Sequence, residues 1–222
     1  MNIQEALLAR KSVRAYLDKD VPKEKIEAIL AAASHAPSGT NTQPWQVAVV
    51  SGEVKKKLGT ALVDAFATQG EGKMDYQYYP LVWKSEYKKR RVATGAQLYK
   101  QLGIERHDKE RRYEQWIANY RAFDAPVMLF FFLDPDMQAG SYMDYGMFWQ
   151  SVMLAAVAEG LATCPQAALG QFPEVIKEAL GYDKELILLG GMALGYEDKE
   201  AKVNQYRTPR EEVETFTRFF GI

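Results

Sequence analysis

The chain has 222 residues, of which 47% are hydrophobic and 26% charged, with a formal net charge of -1 at neutral pH. That is the material of an ordinary globular protein with a sizeable core, and the charge balance argues against a general nucleic-acid binder, which needs a basic surplus. Cys164 is the single cysteine, and His35 and His107 are the only histidines, so an intrachain disulfide is impossible and a structural zinc site lacks soft ligands.

The opening "MNIQEALLARK" puts Glu5 and Arg10 where a secretory signal needs apolar residues. Within it, Ile3, Ala6, Leu7 and Leu8 predict a short helix with Asn2 as N-cap and Glu5 at the capping-box position, ending near Arg10. "VPKEKIEAILAAASHAP" predicts a second helix, with Pro22 in the first turn and Ile26, Ile29, Leu30 and Ala33 at helical spacing. "SGTNTQPW" is turn chemistry, "WQVAVVSG" a strand and residues 53–68 a further helix.

Residues 70–123 differ in texture, with seven tyrosines, the basic run "KKRR" at 88–91 and interleaved acids and bases. They read as amphipathic helices making an excursion from the core. "APVMLFFFLD" is a buried strand whose apolar run is too short to span a bilayer as a helix. "MDYGMFWQSVMLAAVAEGLATC" follows as a long core helix closed by Gly160, then "FPEVIKEALGY" as a short helix and "ELILLGGMALGYED" as a strand. Helices alternating with strands imply a layered fold around one sheet. A soluble cytoplasmic protein of one domain, residues 1–222, is expected, with no membrane or nucleic-acid partner.

Three stretches carry chemistry. In "ARKSVRAY", an extended backbone after Arg10 puts Arg10, Ser12 and Arg14 on one face, where two guanidinium forks flank a hydroxyl and suit a phosphate. The competing explanation is that Arg10 and Lys11 only complement the C-terminal dipole of the first helix. "YRTPR" repeats the theme with Arg207 and Arg210, and "APSGTNTQPW" offers backbone N–H groups and amides to a planar polar ligand, or else is only a helix stop and strand entry. Cys164, beside a proline, reads as a packed residue rather than a nucleophile.

Together and in this order, these stretches resemble the nitroreductase family of FMN-dependent oxidoreductases. "ARKSVRAY" is similar to its R-x-S-x-R opening and "APSGTNTQPW" to its P-S-x-x-N-x-Q-P-W loop. "GLATCPQAALGQFPEVIKEALG" followed by "LGGMALGY" is similar to its flavin-facing strand and helix. The resemblance covers nearly the whole chain and is weakest over 70–123. It implies an α+β nitroreductase-like fold, a central mixed β-sheet flanked by helices, in an intertwined homodimer with FMN at the interface. It further implies that Arg10 and Ser12, with Lys11 between them, hold the FMN phosphate and ribityl chain. Arg14 then lies near flavin N1 and the C2 carbonyl, and Arg210, or Arg207, closes on the phosphate. Pro37, Ser38, Gly39, Asn41 and Gln43 reach the flavin from the other subunit. Pro165, Gln166, Ala167 and Ala168 occupy the stretch that offers a backbone N–H to flavin N5, although the acidic-plus-glycine version of some members is replaced here.

The implied activity is hydride transfer from NAD(P)H through FMN to a nitroaromatic or quinone-like acceptor in ping-pong order, with no protein side chain as catalyst. The 70–123 excursion is expected to act as a lid, with Trp83 and Trp116 available for stacking, or simply to pack on the core. Rival expectations are a reductive dehalogenase, for which Glu86 and Tyr87 are the lid candidates, a flavin-cleaving relative, and a flavin-binding module without turnover.

Overall fold

The structure, a computed structural model, describes residues 1–222. Four strands, β1 (Gln46–Ser51), β2 (Val127–Leu133), β3 (Ala162–Gln166) and β4 (Ile187–Gly195), form one sheet in the order β1-β2-β4-β3. The central strands are buried on both faces, which is why "VMLFFFL" reads as an unbroken apolar run rather than an alternation. Alternate residues of β2 serve opposite cores. Met128, Phe130 and Phe132 pack with Leu58, Leu62 and Ile176, whereas Val127, Leu129, Phe131 and Leu133 pack with Ile26, Ile29, Phe148 and Val152.

Those partners lie on the helices that cover the two faces: α3 (Gly52–Gln69) and α7 (Pro173–Leu180) on one, α2 (Lys23–Ala33) and α6 (Ala139–Ala158) on the other. The remaining helices are α1 (Ile3–Ala9), α4 (Ser85–Leu102), α5 (Lys109–Ile117) and the short α8 (Val213–Phe216). No helix is long and apolar enough to cross a membrane.

Two differences from the sequence reading matter. The sheet's ladders are all antiparallel, because the chain re-enters β4 at the end where β3 finished; parallel pairing enters only as the Ser12–Thr163 bridge. The second difference lies in "LATC", beyond the Gly160 stop, where the residue pattern marked no strand. Gly160 sits at φ +73 and ends α6 as expected, but residues 162–166 then form β3. Pro165 is tolerated there because β3 is an edge strand.

α1 ends where its sequence requires. Asn2 and Glu5 complete the capping box, with Glu5 N–H to Asn2 Oδ1 at 2.8 Å and Asn2 N–H to Glu5 Oε2 at 2.9 Å. At the other end Arg10 is the C-cap with φ -58 and ψ 130, so the chain leaves the helix at that residue.

Candidate active site

Beyond Arg10 the chain runs extended along β3, with the Val13 N–H donating to Thr163 O at 3.0 Å. Val13 is buried, and Arg10, Ser12 and Arg14 all border one hollow of about 310 Å³. Its other walls include Thr94, Tyr206, Arg207, Thr208 and Arg210. The hollow thus gathers guanidiniums and hydroxyls and is lined by no carboxylate.

The cations are left unneutralised. Arg10, Arg207 and Arg210 form no ion pair with any acid, and burial, then Arg210 and Arg207, push the Arg10 guanidinium below its ordinary pKa. Arg207 is committed to structure as well: its Nη2 donates to Ala9 O at 2.6 Å and Arg10 O at 2.8 Å, satisfying carbonyls at the end of α1. Arg210 Nη1 donates to Thr208 O at 3.0 Å and Thr208 Oγ1 at 2.9 Å. Lys11 borders the hollow too, but its ammonium pairs with Glu197 at 2.7 Å and donates to Asn204 O, so its charge is already spent.

Arg14 is shared between this hollow and a larger cleft of about 570 Å³. Its backbone N–H donates to Asn204 Oδ1 at 2.9 Å, and its guanidinium lies 5.9 Å from the Phe123 ring centroid. Residues 72–79 form one wall of the cleft, and Pro165, Gln166, Ala167 and Ala168 form another. Trp116, Asn119 and Phe123 complete it, whereas Trp83 packs at a tilt of 45° against Tyr79 outside. Phe123 reaches this place through consecutive left-handed residues, Ala122, Phe123 and Asp124, at φ 53, 54 and 58. Such backbone is strained for residues with a Cβ and is held here by the burial of Ala122 and Phe123, with the exposed Asp124 paired to Arg121 at 3.0 Å.

Polar groups at the back of the cleft are tied together. Gln166 Nε2 donates to Asn119 O at 2.9 Å and the Tyr120 hydroxyl donates to Gln171 Oε1 at 2.6 Å. A helical turn starts at Ala167, where the first backbone N–H groups have no partner within the turn. Cys164 borders the cleft but is 2% exposed. Burial pushes its thiol pKa up, against the opposing influence of Arg14, Ser12 and Arg10, so it stays protonated and unreactive.

Pro37, Ser38, Gly39, Asn41 and Gln43 border neither cavity of their own chain. Their loop is nevertheless shaped: Thr40, Asn41 and Gln43 have φ of 50, 61 and 46. The Gly39 N–H donates to Asp144 Oδ1 at 3.2 Å, and the Gln43 N–H to Ser38 Oγ at 3.0 Å.

Residues 7–196 match the model of the nitroreductase family. The chain belongs to that family. Among its relatives, a chloronitrobenzene nitroreductase of Comamonas testosteroni is 36% identical over 218 residues, 98% of this chain and 96% of the relative. The crystal structure of the FMN and NADPH-dependent nitroreductase NfnB from Sphigopyxis sp. strain HMH superposes with a TM-score of 0.96 at 38% identity, covering 100% of both chains. NfnB from Mycobacterium smegmatis, solved in complex with NADPH, gives 0.93 at 35% identity over 98% of this chain and 97% of that one. The fold of this nitroreductase-family chain is therefore the nitroreductase-like α+β fold.

Several residues of the site carry no motif. Asn204, which fixes Arg14, sits in "AKVNQ", where an asparagine reads as turn chemistry. Asn119 lies in "WIANYRAF", among apolar and aromatic residues, and Gln171 lies inside "GLATCPQAALGQFPEVIKEALG" with nothing to single it out. Only the left-handed backbone at 122–124 marks that region as special, and no sequence pattern announces it.

Proposed function

We propose that the protein is an FMN-dependent NAD(P)H nitroreductase, acting on nitroaromatic and quinone-like acceptors in ping-pong order. The observation that carries this reading is the sharing of Arg14. A cationic, carboxylate-free hollow and a flat-walled cleft meet at one guanidinium, so a ligand with a phosphate at one end and a planar ring at the other fits across both. The donors suit FMN: guanidiniums at Arg10 and Arg210 and hydroxyls at Ser12 and Thr208 for the phosphate end. Relatives named for FMN and NADPH support the same assignment.

Bound FMN would supply hydride transfer through N5, the one redox step the side chains here do not perform. The chain's own groups bind and orient. Arg14, at the junction of the two cavities, would offer a positive charge to a flavin ring held there. The backbone N–H groups at Ala167 and Ala168 serve as donors toward the ring, and Asn204 keeps Arg14 in place. Trp116, Tyr78 and Tyr79 offer flat surfaces to an aromatic acceptor and, with α4 and α5, would close over it as a lid. Glu86 and Tyr87 border neither cavity, which leaves the dehalogenase reading without a geometric basis.

The loop of Pro37, Ser38, Gly39, Asn41 and Gln43 would complete the site of a second subunit in a cytoplasmic homodimer. Exposed apolar side chains support that assembly: Ile3 and Leu8 on α1, Met143 on α6, and Phe216, Phe219, Phe220 and Ile222 near the C-terminus.

The deciding experiment is reconstitution of the purified protein with FMN, followed by anaerobic addition of NADPH or NADH. Stoichiometric flavin that bleaches, then recovers its colour with a nitroaromatic, is the expected result. Protein that takes up no FMN overturns the reading, and flavin that binds without bleaching favours the module without turnover.

A further inference from the structure

One lysine is out of place. Lys177 lies on α7, in an amphipathic segment where a lysine ordinarily faces water, yet it is 2% exposed. Its ammonium is 3.0 Å from Asp75 Oδ2 and donates to Lys184 O at 2.9 Å. Asp75 Oδ2 also accepts the Leu188 N–H, at 2.8 Å, at the start of β4. A buried charge of this kind is retained only when fully paired, and here the pairing reaches out to the strap over 72–79 that walls the cleft.

The strap is anchored at one end only. The Tyr76 hydroxyl donates to Leu189 O at 2.8 Å, beside the Asp75 anchor. Gly72 lies so close to the body that a Cβ there would come within 2.2 Å of Gln171 O. Beyond Tyr76 no hydrogen bond ties the strap to the sheet or to α7, and Leu81 and Val82 are 87% and 83% exposed. Tyr78 and Tyr79, at the cleft, thus lie in the untied half, directly after the pinned residues Asp75 and Tyr76 that set where this half begins.

We propose that Lys177 is a positioning residue for the acceptor pocket: through Asp75 it fixes the strap wall, so that acceptor binding depends on a lysine that touches neither acceptor nor flavin. This rests on the reductase reading given above. Acceptor recognition would depend on the register of the strap, whereas the phosphate hollow is built from α1, the extended segment after it, Thr94 of α4 and the C-terminal segment, none of which shares a hydrogen bond or ion pair with Lys177.

The test uses Lys177→Met, which keeps the length of the side chain without its charge, with Asp75→Asn and Tyr76→Phe as separate cuts of the same anchors. Amide hydrogen exchange over 72–79 is measured without flavin, FMN affinity is titrated, and the FMN-loaded enzymes are assayed for NADPH-driven flavin reduction and for nitroaromatic turnover. Faster exchange confined to the strap is expected, with the acceptor KM raised about tenfold, less than the roughly hundredfold that a misplacement of about 1 Å can cost, and FMN affinity unchanged. Tyr76→Phe should move the KM in the same direction. Unchanged strap exchange, an unchanged acceptor KM, or FMN affinity falling along with turnover would overturn the proposal. If Lys177→Met does not fold, Asp75→Asn and Tyr76→Phe decide it by the same measurements. Failure of every protein, wild type included, to be reduced by NADPH would reject the reductase reading instead, and the exchange comparison would still decide whether Lys177 pins the strap.

Discussion

The side chain of Asn204 brackets the two-residue segment Arg14–Ala15: its Oδ1 accepts the Arg14 N–H at 2.9 Å while its Nδ2 donates to Ala15 O at 2.8 Å and Asp198 O at 2.7 Å. Asn204 is 2% exposed, so water does not replace these bonds cheaply. Asn204→Ala is expected to orphan buried backbone groups at roughly 1–3 kcal/mol each. Urea unfolding should show the lowered midpoint, and flavin affinity should fall with it because Arg14 loses its anchor.

Arg10→Ala and Arg210→Ala should weaken FMN by about tenfold to a hundredfold each, the value of a charge-assisted hydrogen bond. Riboflavin, which lacks the phosphate, should bind all three proteins alike. Fluorescence titration with both ligands checks this, and equal loss of riboflavin would mean that the arginines act through folding rather than on a phosphate.

Cys164 should resist alkylation in the folded protein and react once urea is added, since its raised pKa and burial both withhold the thiolate. Cys164→Ala should cost about 1–2 kcal/mol in packing and retain flavin and turnover. Loss of turnover with flavin still bound would return the cysteine to the mechanism.

Alkaline pH should destabilise the fold. Burial raises the pKa of Tyr16, Tyr76 and Tyr145, pushes Tyr120 up to about 12, and raises the Cys164 thiol. Each group is neutral when protonated and has its folded pKa above its unfolded one, so its stabilising contribution is whole below the unfolded value. It is lost as the unfolded chain ionises, from about pH 9 for the thiol and about pH 10 for the phenols, continuing toward the folded pKa. Denaturation midpoints should therefore decline steadily from about pH 8 to about pH 11.

What the sequence disclosed was mostly local. The Asn2 and Glu5 capping box, the end of α1 at Arg10 and the stop at Gly160 each depend on a few neighbouring residues and are found where the pattern puts them. The short β3 escaped pattern reading because "ATCPQ" continues the apolar run of α6 and contains a proline. Only resemblance pointed to a strand there. Asn204 and Lys177 were silent for a different reason: their partners are 190 residues away at Arg14 and about a hundred away at Asp75, and a side chain's own neighbours in sequence say nothing of such contacts. The alternation of Arg10, Ser12 and Arg14 was legible, whereas the spending of Lys11 on Glu197 needed the folded chain.

The contact of Arg207 with Ala9 O and Arg10 O joins positions 198 and 197 residues apart. During synthesis Arg10 leaves the ribosome 197 residues ahead of Arg207, the guanidinium that faces it. The phosphate hollow therefore does not exist on a nascent chain. Cofactor loading reports completion: a protein truncated by premature termination anywhere before Arg207 would be unable to retain the ligand, and flavin content would separate finished molecules from interrupted ones.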